Sequence, residues 1–101
     1  MNDQTITVTV AKDLEDLIPT FMTNRHKEIE TLRAALDAGD MEQLRHLGHR
    51  MKGVGNSYGF EQISVLGKKV EDGANSRNLQ NLEAHITEYT DYLARVRIIY
   101  E

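Results

Sequence analysis

The sequence contains no cysteine, no tryptophan and only one proline among its 101 residues. The absence of cysteine excludes disulfides, thiol nucleophiles and thiolate metal ligands, and it fits the reducing cytoplasm. A chain with one proline is more easily built from long helices than from many short strands joined by turns. We therefore expect one cytoplasmic domain of helical class with a single modest core.

Long apolar runs and a positive net charge are also missing. No run of apolar residues is longer than three, far short of the ~20 needed to span a bilayer. The segment MNDQTITVTV lacks the features of a signal peptide. The formal net charge is −4, whereas a general nucleic-acid binder places many lysines and arginines on one face. The sequence thus predicts neither a membrane segment nor a nucleic-acid partner.

Apolar residues recur at steps of three and four along most of the chain, which is the spacing of helices with one buried face. Gly39 is suited to ending a helix in the left-handed conformation, and Asp40 is suited to capping the next one. The predicted helices cover residues of about 12–18, 19–38, 41–58, 60–75 and 79–100. This pattern predicts an all-α fold, an antiparallel four-helix bundle over residues 12–101 that begins with a short N-terminal capping helix.

The first residues follow a different pattern. In TITVTV, residues 5–10, polar residues alternate with β-branched apolar ones, which is typical of a strand. Because one strand has no partner in an otherwise helical chain, we expect residues 1–11 to form an extended N-terminal arm that lies on the bundle. Pairing with the segment VRIIY near the end of the chain, or with a second copy of the protein, remains an alternative.

A stretch with four glycines, GHRMKGVGNSYGF at residues 48–60, lies in the third predicted helix and the turn after it. Each glycine inside a helix costs about 1 kcal/mol relative to alanine, so these positions need a further explanation. At about 100° per residue, the apolar stripe of this helix centres near 280° from Met41, and His49 lies near 80°. We therefore expect the imidazole of His49 to face water. Gly48 and Gly55 lie near the stripe, where a missing side chain permits close helix packing.

Positive side chains surround His49 in the sequence. Residues 43–60 contain no aspartate or glutamate, although the chain has 16 of them. Gly53, one turn after His49, leaves space beside the ring. The polar and positive neighbours on or beside the same face are Arg45, Arg50, Lys52 and Asn56. The sequence therefore predicts a positive patch around an exposed histidine on an acidic protein.

These surroundings favour an anion over a metal cation next to the ring. A neutral imidazole is a competent nucleophile near neutral pH, because its ordinary pKa of about 6.5 leaves one nitrogen with a free lone pair. A phosphoryl group attached to His49 would be stabilised by the ammonium group of Lys52, three residues further along the helix. Gly53 would let the reaction centre of another protein close around the ring.

The motif formed by these residues resembles the signature of histidine-containing phosphotransfer (Hpt) domains. It reads HRMKG at residues 49–53 and GF at residues 59–60, and the segment FEQISVLGKKVED that begins at Phe60 is similar to the family's. The resemblance covers residues of about 12–97. It implies a helical bundle that accepts a phosphoryl group from a histidine kinase, or passes one between aspartates of response-regulator receiver domains.

The resemblance also implies a role for each matching residue. His49 would accept the phosphoryl group, and Lys52 would stabilise its charge. Gly53 would keep space beside the ring, and Gly59 would end the helix. The chain would need no cofactor of its own, since the Mg²⁺ of the reaction belongs to the partner receiver domain. Two positions depart from the family pattern: Gly48, where the family often has alanine, and Gly55, which adds a further flexible position.

Two alternatives remain open. A metal-binding bundle is one, since the sequence contains an HxxH pair and two more histidines on other helices, namely His46 and His49 with His26 and His85. Di-iron bundles use a glutamate followed three residues later by a histidine, however, and this sequence has no such pair. An adaptor that shares the fold and only binds signalling partners is the other. The sequence contains no GxxxxGK[ST] phosphate loop, so we expect a stoichiometric carrier without a kinase ATP site rather than an enzyme.

Overall fold

Helices make up most of the protein. The computed structural model describes residues 4–101, and within them the helices are α1 (Ile18–Ala38), α2 (Met41–Ser57), α3 (Glu61–Asn75) and α4 (Leu79–Arg95). The remaining elements of this part of the chain are strands β1 (Ile6–Val10) and β2 (Val96–Tyr100) and a short 3₁₀ helix, Lys12–Leu14. In residues 4–101, every helix is too short or too polar to cross a membrane.

Local sequence determines where α1 ends and α2 begins. Gly39 adopts a φ of 67°, which glycine reaches without strain, and ends α1. The side chain of Asp40 then accepts a hydrogen bond of 3.0 Å from the backbone N–H of Gln43 in the first turn of α2. Pro19 lies in the first turn of α1, where its missing N–H removes no helical hydrogen bond. The predicted boundary between these two helices is confirmed.

One apolar core holds the four helices together. Tyr89 and Phe60 are its largest fully buried side chains, and Val10 of β1 adds a third contribution from outside the helices. The other large fully buried side chains are those of Ile18, Leu32, Leu44, Met51, Ile63, Leu66, Val70, Leu82 and Ile86. Burial of this much apolar surface provides most of the free energy that holds such a domain together.

A polar cluster is enclosed at one side of the core. The Tyr89 hydroxyl donates a 2.8 Å hydrogen bond to Glu28, and Arg25 Nε lies 3.1 Å from the same carboxylate oxygen. The Arg25 guanidinium also lies 4.8 Å from the centroid of the Phe21 ring. Burial, together with the charge of Glu28, raises the pKa of Tyr89, so the phenol stays a hydrogen-bond donor. Arg25 is therefore held inside the helical stripe by a partner of opposite charge.

The chain ends in a strand, which corrects the all-α prediction. β2 pairs in parallel with β1, from Ile6 opposite Val96 to Val10 opposite Tyr100. The predicted arm is therefore part of a two-stranded sheet, as in the alternative pairing with VRIIY, and α4 ends at Arg95 instead of about residue 100. Val96 and Tyr100 fitted a helical stripe because a spacing of four also satisfies the period of two in a strand. Residues 1–3 of that arm lie outside the described residues.

The segment between β1 and α1 also differs from the prediction. A capping helix is expected at about 12–18, but only Lys12–Leu14 forms a 3₁₀ helix, and a turn follows before α1 begins at Ile18. The apolar residues of this segment, Leu14, Leu17 and Ile18, have helical spacing, but the segment is too short to form a separate α-helix.

Candidate functional site

Facing glycines bring α2 and α3 into very close contact. A Cβ atom added at Gly48 would lie 2.6 Å from the backbone nitrogen of Glu71, and one added at Gly67 would lie 2.5 Å from the backbone nitrogen of Lys52. Neither position has space for a side chain, and α2 and α3 are the most extensively packed pair of helices in the described chain. The helix propensity lost at these glycines is therefore offset by backbone-to-backbone packing.

A buried serine joins the two helices at the next turn. Ser64 Oγ donates to the carbonyl oxygen of Lys52 at 2.6 Å and accepts from the N–H of Asn56 at 2.8 Å. These two backbone groups would pair with each other in an uninterrupted α-helix. A Cβ at Gly55 would lie 2.6 Å from Ser64 Oγ, so glycine is required for this bridge. The prediction that Gly48 and Gly55 serve close packing is confirmed.

His49 projects from α2 into solvent. Its side chain is 67% exposed, in agreement with the phase of the apolar stripe. Beside it, no heavy atom of residues 4–101 would lie within 4 Å of a Cβ added at Gly53, apart from the helix's own nearby backbone. The ring therefore stands on an open face that a large partner can approach. Gly59, with a φ of 88°, follows the end of this helix as predicted.

A carboxylate that was not predicted contacts the histidine. Glu71 of α3 lies with its Oε2 atom 3.3 Å from His49 Nδ1, while its Oε1 atom accepts a 3.0 Å hydrogen bond from Lys52 Nζ. The histidine contact is within hydrogen-bond range, but it lacks the alignment of a straight hydrogen bond. The Glu71 side chain is only 18% exposed, so one partly buried carboxylate joins both residues of the motif.

The electrostatics of this cluster follow from that arrangement. The hydrogen bond from Lys52 and its positive charge, with a smaller effect of His49, hold the pKa of the Glu71 carboxyl below its ordinary value of 4.5 against the opposing effect of burial. Glu71 is therefore ionised near neutral pH and acts only as an acceptor. A ring nitrogen that faces an acceptor is favoured to carry the proton, which leaves Nε2 of His49 with its lone pair.

The positive side chains predicted to surround His49 have different neighbours in the structure. Lys52 is paired with Glu71, as described above. Arg45 lines a shallow pocket with Arg77 at the far end of α3, and Arg50 lines a different pocket with Lys27 on the side of α1. Residues 43–60 contain no carboxylate, but the fold places Glu71 of the neighbouring helix beside them.

A groove beside the cluster runs along α2 and α3. It has a volume of about 430 Å³ and passes from Lys52 and Asn56 to Lys68 and Lys69. Val65, 40% exposed, forms an apolar part of its wall. Lys68 is paired with Asp72 at 3.3 Å. Glu61 and Asp72 also line the groove, so Lys68 and Lys69 add positive charge next to Lys52 in a lining that contains two carboxylates.

The remaining histidines lie apart from this cluster. His46 is exposed and 4.0 Å from Glu42, one turn earlier on α2. His85 is half-buried beside the core face of α4 and 3.7 Å from Glu88, and His26 is exposed on α1. Within residues 4–101, no three histidine, aspartate or glutamate side chains come together in an arrangement that could hold a metal ion.

Glu71 is the residue that sequence reasoning missed. Its position depends on how α3 is rotated against α2, and the phase of one helix alone does not give the rotation of its neighbour. A signal did exist, because Gly67 marks the contact face of α3 and Glu71 follows it by one turn. Pairing Gly48 with Gly67 as a close helix crossing places Glu71 beside His49.

Comparison with known proteins gives one family. The family model of the Hpt domain matches residues 11–98 of the chain. No curated protein sequence and no solved structure matches it. The matched range contains all four helices, His49 and the carboxylate that contacts it.

Proposed function

The chain belongs to the Hpt domain family, and on that basis we propose that it carries a phosphoryl group on His49 in a two-component phosphorelay. Hpt domains are phosphocarrier modules without kinase activity of their own, and they interact with receiver domains and histidine kinases. The observation that supports the role best is that the ring of His49 is exposed while its Nδ1 atom contacts the carboxylate of Glu71.

Nε2 of His49 is the nucleophile in this proposal. With the proton on Nδ1 and directed at Glu71, the Nε2 lone pair attacks the phosphorus of a phosphoaspartate in the partner. The P–N bond forms while the P–O bond to the aspartate breaks, and the aspartate leaves as a carboxylate. The attack leaves positive charge on the ring. Glu71, 3.3 Å away, stabilises that charge.

Lys52 changes partner during the reaction. In the unphosphorylated protein it donates to Glu71 at 3.0 Å. The Lys52 side chain is 40% exposed, so its ammonium group is free to swing toward a phosphoryl group on His49. There the phosphoryl oxygens compete with Glu71 as acceptors of its N–H groups. Lys52 thus stabilises the phosphorylated state without being held at the phosphoryl position beforehand.

The partner supplies the rest of the chemistry. A receiver domain brings its own aspartate and Mg²⁺, and this chain contributes the ring and the surface on which the receiver docks. We propose that the groove lined by Lys52, Val65, Lys68 and Lys69 contacts the acidic rim of the receiver, with the open space at Gly53 facing its reaction centre. Asn56 lines the same groove, and Arg45 and Arg50 then lie at the margins of the interface.

The arrangement of the helices also belongs to this proposal. Consecutive helices are joined by only two or three residues, which favours neighbours that run in opposite directions. We therefore infer that the four helices, within the predicted domain of residues 12–101, form an antiparallel bundle. The lack of cysteine supports a location in the cytoplasm, where receivers and the kinase domains that feed them act.

Transfer from a phosphorylated receiver tests the function directly. The purified chain is incubated with a radiolabelled phospho-receiver, and the expected result is acid-labile label on the chain. His49→Gln is expected to remove all of it, and His46→Gln, an exposed histidine one turn away, is expected to keep it. Receivers from several systems are needed, since the partner is not known.

The adaptor alternative predicts a different outcome. If the chain binds a receiver, and neither the wild type nor His46→Gln ever acquires label, the carrier function is rejected in favour of an adaptor. Zinc or iron bound stoichiometrically, and lost in a His46→Ala/His49→Ala double variant, would instead revive the metal-binding alternative.

A further inference from the structure

A second groove lies away from His49, between the sheet and the helices. It has a volume of about 610 Å³, and β1 forms one wall while α3 and α4 form the other. We call it the edge groove and define it by Thr7, Glu61, Val65, Glu88 and Asp91. It shares Glu61 and Val65 with the groove beside Lys52, but none of His49, Lys52 and Glu71 lines it.

The backbone of β1 is unpaired on the side of this groove. In a parallel pair, successive residues direct their N–H and C=O groups to opposite sides of the strand. The carbonyl of Val10 accepts from Glu101 N–H at 3.0 Å, so Ile6, Val8 and Val10 direct their backbone groups to β2. Thr7 therefore directs its groups away from the ladder. Among residues 4–101, it makes no backbone hydrogen bond outside that ladder.

The edge is open over part of its length only. At Thr9 the carbonyl oxygen lies 3.9 Å from the position of a Cβ on Gly59, so the loop after α2 narrows the groove there. At Thr7 the opposite wall of the groove consists of side chains of α3 and α4. A donor and an acceptor of one residue are thus presented on an exposed strand edge, which is a template for an added strand.

The charge of the opposite wall restricts the partner. Three carboxylates line the groove, those of Glu61, Glu88 and Asp91, and one guanidinium, that of Arg95. Arg95 Nε lies 3.1 Å from Asp91, so this pair neutralises itself and leaves Glu61 and Glu88 without a cation in the lining. Between them, the exposed side chain of Val65 gives an apolar contact.

A second copy of this chain fits the groove poorly. β1 has no charged residue between Ile6 and Val10, and β2 has only Arg97. The chain as a whole carries a net charge of −4. Two copies that met through this groove would therefore bring carboxylates together without matching cations.

We propose that the edge groove binds an extended segment of another protein in which every second residue faces the helices, and these residues are basic, apolar and basic in turn. The segment adds as a strand to β1, donates to and accepts from the backbone of Thr7, and directs its cationic side chains at Glu61 and Glu88. Its apolar side chains contact Val65. None of His49, Lys52 and Glu71 lines this site, so a bound segment leaves the ring of His49 free, although it shares Val65 with the groove proposed for the receiver.

A synthetic peptide tests the proposal. The probe is a peptide of about seven residues that carries lysine, valine and lysine at alternate positions with threonine between them, and the control has glutamate in place of each lysine. Titrated into the isotope-labelled chain, the lysine peptide is expected to shift and protect from exchange the backbone amide of Thr7, and the glutamate peptide is expected to have no effect. Absence of saturable binding up to millimolar peptide overturns the proposal.

Two variants separate strand addition from nonspecific attraction. Thr7→Pro removes the N–H of Thr7, which faces the open part of the groove, and keeps the β1–β2 ladder, because proline is tolerated at an edge position whose N–H faces outward. It is expected to weaken binding about tenfold or more. Glu61→Lys/Glu88→Lys leaves β1 untouched and is expected to abolish binding, so a folding failure of the proline variant does not decide the matter.

Equal affinity of the wild type and the charge variant overturns the proposal. So does a dimer, detected by sedimentation, whose formation protects Thr7 and excludes the peptide, since the occupant is then a second copy. The His49→Gln variant is expected to bind the peptide as the wild type does, which separates this site from the phosphoryl site.

Discussion

Glu71 Oε2 lies 3.3 Å from His49 Nδ1, although the two residues are on different helices and only His49 belongs to the recognisable motif. The contact depends on the close approach of α2 and α3 at Gly48 and Gly67. Packing of two glycines therefore decides the chemistry of a ring on the surface.

Replacing His49 by alanine should leave the fold intact. The side chain is 67% exposed and contributes no packing to the core. The free energy of unfolding, measured by urea titration, is expected to change by less than about 0.5 kcal/mol. A large loss of stability would mean that the ring is buried and that the site has been placed on the wrong face of α2.

Replacing Glu71 by alanine should slow phosphoryl transfer. The ring then loses the acceptor that favours the Nδ1 proton and stabilises the charge formed on attack. By analogy with acceptors behind metal-bound histidines, we expect a rate of transfer about 10- to 100-fold lower. The transfer rate of Glu71→Gln, which keeps an acceptor oxygen but no charge, should lie between those of the wild type and Glu71→Ala. Nitrogen NMR of His49 provides the second readout, since the tautomer should change in the alanine variant only.

The same contact should make stability depend on pH. The pKa of Glu71 in the folded protein lies below its ordinary value of 4.5, mainly through Lys52. On acidification the unfolded state binds the proton first, so the contribution is present above about pH 4.5 and is lost as the pH falls through the folded pKa. The stability difference between the wild type and Glu71→Gln, measured by urea titration, should therefore shrink toward low pH. A difference that does not vary with pH would mean the carboxylate is not stabilised by these partners.

Two glycines in the same helix should respond oppositely to alanine. A Cβ at Gly48 meets the α3 backbone at 2.6 Å, so Gly48→Ala must separate the helices and should lower the free energy of unfolding by about 1–3 kcal/mol or more. Gly53→Ala meets no neighbour and should raise it by about 0.5–1 kcal/mol through helix propensity. Equal effects at the two positions, measured by thermal or urea unfolding, would contradict the helix contact.

A bulky side chain at Gly53 should obstruct the partner without harming the fold. Gly53→Met places a good helix former beside His49 in open space, so we expect a stability equal to that of Gly53→Ala or close to it. The rate of transfer from a phospho-receiver should fall well below that of the alanine variant. Unchanged transfer rates would remove the steric role of this glycine.

The buried polar cluster should be far more sensitive than a surface ion pair. Tyr89→Phe leaves Glu28 without its 2.8 Å donor and should cost about 1–3 kcal/mol. Glu28→Ala leaves Arg25 buried and unpaired and should cost about 3–5 kcal/mol. The control is Arg33→Ala. Arg33 donates to Glu83 at 2.7 Å, but this pair is exposed on the surface and should contribute much less to the free energy of unfolding. Unfolding by urea measures all three.

Much of this molecule could be predicted from its sequence, for identifiable reasons. The end of α1 at Gly39, the cap at Asp40 and the outward direction of His49 depend on residues within one or two turns, and local spacing reports them. The motif around His49 was recognisable for the same reason, because its residues lie on consecutive turns of one helix.

Features that join distant parts of the chain could not be predicted in this way. Glu71 reaches His49 only because α3 is rotated to place Gly67 against α2. The apolar spacing of residues 96–100 fits a helix as well as a strand. Only the pairing with β1, 90 residues earlier (Val96 opposite Ile6), identifies the segment as a strand. Arg45, Arg50 and Lys52 look like one patch along the sequence but line three separate pockets.

The parallel pairing of Ile6–Val10 with Val96–Tyr100 has a consequence for synthesis on the ribosome. The first strand to be made must wait until the last has been translated, about 5–18 s later at ordinary elongation rates. During that time α1, α2 and α3 are already complete and able to pack, and α4 follows. β1 therefore stays without its strand partner while the helices are made, and the two strands can join only after β2 has been translated.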